Sequence, residues 1–73
     1  MTATELRECL DALCWSQRHL GDVLTADERL IRKWAAGRVA IPENVAVWLR
    51  TLAAVHRAHP HPDGWEIRLK DLG

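Results

Sequence analysis

The sequence predicts an all-α fold, a compact helical bundle, from three observations. Apolar residues recur at three- and four-residue spacing in four separate segments. Helix-capping residues stand immediately before those segments, and glycine or proline follows the third and fourth. At 73 residues the chain has room for one such domain, and a core of this size is marginal by itself, so a second subunit would help it.

The first helix starts after Thr4, read here as its N-cap, and carries Leu6, Cys9, Leu10 and Leu13 inward, with Glu5, Glu8 and Asp11 on the other side. The second spans about 16 to 24, opened by the Ser16 hydroxyl, with Leu20, Val23 and Leu24 inward. Thr25 and Ala26 leave space for only a tight turn before Asp27 caps a third helix, about 28 to 36, which Gly37 closes. In that helix Leu30, Ile31, Trp34 and Ala35 share one arc, and Glu28, Arg29, Arg32, Lys33 and Ala36 the other.

Pro42 suits the first turn of a fourth helix whose stripe is Val45, Trp48, Leu49, Leu52 and Val55, ending near Ala58 ahead of Pro60. Residues 1–58 therefore form the helical domain and 59–73 a C-terminal arm. In the arm Trp65, Ile67 and Leu69 alternate with charged residues, as in an edge strand, while Trp65, Leu69 and Leu72 also fit a helix. The strand is preferred, and Trp65, Ile67 and Leu69 are the expected dimer contacts. Trp15, Trp34 and Trp48 are read as core aromatics.

Formal net charge is zero, but its distribution is uneven. Arg29, Arg32, Lys33 and Arg38 fall in a stretch without an acid, which gives a local basic surface suited to a polyanion. Arg29 and Lys33, four apart, repel one another on a bare helix, and an anionic partner would relieve that. Glu28 precedes Arg32 by four residues, so it can orient Arg32 or accept from a cytosine amino group. A planar guanidinium contacts guanine O6 and N7 together, which makes Arg29 and Arg32 the expected base readers. Arg38 and the opening of the second helix, Ser16, Gln17 and Arg18, are placed to hold phosphates.

The run from Trp15 to Gly37 resembles the helix-turn-helix of the Cro/CI (XRE-type) phage repressors. The likeness rests on the opening pair Ser16-Gln17, on Leu20 and Gly21, on Ile31 and Trp34, and on the closing Gly37. It covers about a third of the chain directly. It implies a lambda-repressor-like bundle, a helix crossing at Gly21, base contacts from Glu28, Arg29 and Lys33, and phosphate contacts from Gln17 and the Arg38 loop. Departures are Thr25 in place of the turn glycine, Asp27 in place of a neutral cap, and Leu30 in place of a small polar residue.

The expected function is sequence-specific regulation of transcription. The chain would bind an inverted-repeat operator on double-stranded DNA as a homodimer, like the small Cro-like or anti-CRISPR-associated autorepressors of phages and mobile elements. The alternative is an antitoxin-like module whose arm meets a partner protein. An enzyme is not expected, since the sequence has no glycine-rich phosphate loop or nucleophile motif. Cofactors and metals are not expected either: Cys9 and Cys14 are five apart, and His56, His59 and His61 lack a ligand spacing. With no basic start followed by an apolar run, and no apolar stretch near the ~20 residues of a membrane span, the expected location is cytoplasmic.

Overall fold

The computed structural model describes residues 1–60, in which four helices form an all-α bundle: α1 (Ala3–Leu13), α2 (Gln17–Leu24), α3 (Glu28–Ala35) and α4 (Glu43–Ala58). The arm residues Trp65, Ile67 and Leu69, and the choice between strand and helix there, lie outside the described residues. No helix among the described residues is long and apolar enough to cross a membrane.

Local chemistry sets each helix start. α1 begins two residues earlier than the sequence reading placed it. Thr2, not Thr4, is its N-cap, because Glu5 stands three residues on and closes a capping box: the Glu5 amide donates to Thr2 Oγ1 at 3.1 Å, and the Thr2 amide to Glu5 Oε1 at 3.4 Å. Ser16 caps α2 by accepting from the His19 amide at 3.0 Å, and Asp27 caps α3 by accepting from the Arg29 amide at 2.8 Å. Pro42 stands at the N-cap of α4, just outside the helix. At the other end of α3, Gly37 takes φ 75°, a conformation that disfavours a Cβ.

α4 packs along α1, and α3 packs against both α1 and α2. Leu6, Leu20, Ile31 and Leu49 are fully buried at the centre, joined by Cys9, Leu10, Trp34, Ala35 and Ala53. Trp15 and Trp48 are half-buried, with ring centroids 5.9 Å apart, so Trp34 alone among the three is fully a core aromatic. Three expected core positions face outward instead: Val23, Leu30 and Val55 are exposed. Small residues take the close approaches, with Gly21, Ala46 and Ala53 buried. At Gly21 an added Cβ would lie 3.2 Å from the Ala26 carbonyl oxygen and 3.6 Å from Ile31 Cγ1, so α2 and α3 approach one another there.

The turn between α2 and α3 is strained. Thr25 sits at φ 54° and ψ 44°, a left-handed conformation that a β-branched side chain tolerates poorly, at a cost of roughly 1–2 kcal/mol. Thr25→Gly is accordingly expected to raise stability by about 1 kcal/mol, a rise in Tm of roughly 4–8 °C by thermal melting. An unchanged or lowered Tm would show that the Thr25 side chain contributes more than its backbone costs.

Candidate nucleic-acid interface

α3 sorts its side chains by hydrophobicity. Ile31, Trp34 and Ala35 are buried on one side, while Arg29, Leu30, Arg32 and Lys33 are exposed on the other. Glu28 is half-buried, and Arg38 is exposed in the loop beyond Gly37. The outer surface therefore holds three cations within five residues, with a fourth just past the helix end.

Two of those cations are held by acids. The Asp27 carboxylate accepts from the Arg29 guanidinium through Nη2 at 3.1 Å and Nε at 3.4 Å while also capping the helix. That guanidinium holds the Asp27 carboxyl below its usual range, and the carboxylate in turn raises Arg29 above its own. Glu28 accepts from Arg32 Nη2 at 3.2 Å, the four-residue pairing the sequence predicts. Side chains at these pairs remain largely in solvent, at 84% for Arg29 and 65% for Arg32, so both guanidinium groups keep outward N–H donors. Arg18, Lys33 and Arg38 form no ion pair among the described residues.

Ser16 and Gln17 lie at the start of α2, on the wall of an open cleft of about 290 Å³ that Arg7, Leu10, Asp11 and Trp15 also line. Arg18 is exposed beside them, and the exposed His19 packs edge-on against Trp15, centroids 5.0 Å apart. Among the described residues no hydrogen bond or ion pair joins this α2 group to the cations of α3. The two sets are linked through the core, where Leu20, Gly21 and Ile31 are buried.

Arg7, to which the sequence reading gave no role, ties α1 to the end of α3. Its Nη1 donates to the Ala35 carbonyl at 3.0 Å, placing a cation on one of the orphan acceptors at the C-terminal end of α3. A signal was present: Arg7 is the only cation in a helix otherwise rich in acids. Its partner, 28 residues away, is a backbone group that no sequence pattern marks.

A second bridge fixes α1 to α4. Glu5 Oε2 accepts from Arg50 Nε at 3.2 Å, and Glu43 lies 3.9 Å from the same guanidinium. The hydrogen bond from Arg50, then that from the Thr2 amide, lowers the Glu5 carboxyl below its usual value. A carboxylate with a lowered folded-state pKa adds stability above its unfolded pKa, about 4, and loses it as pH falls through the folded value. Stability should therefore decline progressively below about pH 5, and Glu5→Gln should flatten part of that decline in urea titrations at successive pH values. An unaltered pH profile for Glu5→Gln would remove the bridge from the account.

Of the two thiols, Cys9 is buried, and burial pushes its pKa up, while Cys14 is exposed. No group of three or more potential metal ligands occurs among the described residues. What the geometry offers is a rigid helix carrying arginines and a lysine toward solvent, suited to the edges of bases and to phosphate oxygens. Compared with known protein families, curated proteins and solved structures, the chain matches none.

Proposed function

We propose that this chain is a sequence-specific DNA-binding regulator of transcription, a Cro/CI-like repressor or autorepressor of a phage or mobile-element operon. In this reading α2 and α3 form its helix-turn-helix, and it acts on an inverted repeat as a homodimer. The observation that carries the reading is the outer face of α3, where Arg29, Arg32 and Lys33 are exposed while Ile31, Trp34 and Ala35 anchor the helix in the core. A reading helix has to combine these properties, because a cationic surface without a fixed axis cannot align donors with base edges.

Arg29 and Arg32 are the base readers. Glu28 and Asp27 hold their guanidinium groups in place before contact, which lowers the ordering cost of binding. Lys33 reaches a base or the backbone, and Arg38 with Ser16, Gln17 and Arg18 holds phosphates.

The test is binding to the DNA upstream of the protein's own coding sequence, against scrambled DNA of equal length, across a range of salt, with sizing of the complex. Selective binding by two protomers is expected, with affinity falling steeply as salt rises. Footprints of the half-sites should be centred about one helical turn, roughly 34 Å, apart. Equal, weak binding to both DNAs at every salt would overturn the reading.

A further inference from the structure

The outward face of α4 lacks the charges that a solvent-facing helix ordinarily carries. At about 100° per residue, Asn44, Val47, Thr51, Ala54, Val55 and Ala58 share one arc opposite the buried Leu49 and Ala53, and all six are exposed. Val47 and Val55 are the most exposed large apolar residues described, at 53% and 54%. Thr51 Oγ1 donates to the Val47 carbonyl at 2.8 Å, so its hydroxyl is satisfied inside the helix. The middle of the arc can therefore lose its water without leaving a donor unpaired. The helix's cations and its one acid, Glu43, Arg50 and Arg57, stand to one flank of this arc.

That flank selects the occupant. If two copies of α4 pack antiparallel about a two-fold axis at Thr51, Val47 meets the partner subunit's Val55, and each flank meets its own counterpart. Glu43 then comes within one turn of the partner subunit's Arg57, and symmetry makes the pair twice. Within the chain Glu43 has only a long contact to Arg50 and is 78% exposed. Arg57 forms no ion pair among the described residues. A parallel pairing would instead set this charged flank against the other flank of the second copy, the side of Trp48 and Leu52, where neither Glu43 nor Arg57 finds a counter-charge.

We propose that α4 is the dimer contact, pairing antiparallel with α4 of a second copy of this chain and centred on Thr51. The proposal deepens the homodimer part of the reading above and rests on it for its purpose, since a two-fold molecule matches an inverted repeat. It also moves the contact from the C-terminal arm to the helix before it. Its apolar centre, Val47 to Val55, is only about two turns long, below the area of a standard stable interface, so the dissociation constant without DNA is expected on the order of 10 µM.

Sedimentation equilibrium of the full chain without DNA, from roughly 1 to 500 µM, should show a monomer–dimer equilibrium. Val55→Lys should weaken it by roughly tenfold or more, with an unchanged circular dichroism spectrum because the site is exposed. Glu43→Arg should weaken it by roughly threefold, and adding Arg57→Glu should restore it. A monomer at every concentration, or a dimer indifferent to Val55→Lys and to the charge exchange, overturns the α4 contact. Two-protomer operator binding that these substitutions leave unchanged overturns the α4 contact and leaves the DNA-binding reading standing. An α4-dependent dimer without DNA selectivity supports the contact and overturns that reading.

Discussion

Leu49→Ala is expected to lower the free energy of unfolding by about 2–5 kcal/mol, the range for removing three buried carbons from a packed core. Leu49 has no exposed surface and belongs to the central cluster, where α4 meets α1. Helices have little freedom to collapse into the space left behind, because the Glu5–Arg50 bridge and the neighbouring Ala53 already hold the two backbones together. A domain of this size has only about 4–11 kcal/mol of stability in total, so the substitution should leave a chain that melts at least roughly 10 °C lower. Val23→Ala is the internal comparison. Val23 is 44% exposed, and its truncation should cost no more than about 0.5 kcal/mol. Urea unfolding at low micromolar concentration measures both without interference from self-association. Equal losses for the two variants would mean that the burial pattern of the core is wrong.

The second large effect concerns recognition. Arg29→Ala should weaken binding to the preferred operator by roughly 5- to 150-fold and relax preference at a single base pair. The geometry gives the reason for the single position. Asp27 takes up Nε and Nη2 on one edge of the guanidinium, so the parallel pair of N–H groups at the end of the fork is left to address one base edge. Arg38→Ala should behave differently, weakening all sequences about equally and reducing the slope of log K against log salt by about 1. The measurement is a matrix of affinities over single base-pair variants of the operator at two or more salt concentrations. If Arg29→Ala lowers every row by the same factor, Arg29 holds a phosphate and base reading falls to Arg32. Selectivity that survives loss of both arginines would remove α3 from recognition.

Much of the local architecture was legible because helix ends are set by groups a few residues apart. Ser16 and Asp27 as caps, Gly37 as the stop of α3, and the end of α4 at Ala58 all follow from chemistry within one turn. The Glu28–Arg32 pairing is equally local. The start of α1 was legible as well, but from a different residue: Thr2 has Glu5 three places on, whereas Thr4 has Arg7. The candidate surface on α3 could be read because its basic residues share one side of the helix and Ile31, Trp34 and Ala35 the other, so burying the latter turns the cations outward.

By itself, then, the sequence determined the order of the four helices among the described residues, the limits of α2, α3 and α4 to within a residue, and which face of α3 is cationic. Only the tertiary structure decided which apolar residues are core. Val23, Leu30 and Val55 satisfy helical spacing yet lie in solvent, while Gly21, Ala46 and Ala53 are buried. Helix axes approach most closely where side chains are smallest, and periodicity marks polarity without marking that closeness. The Arg7–Ala35 and Glu5–Arg50 contacts, 28 and 45 residues apart along the chain, have the same origin. A cap or a four-residue pair is fixed by the geometry of one helix, whereas these partners meet only after the helices have packed.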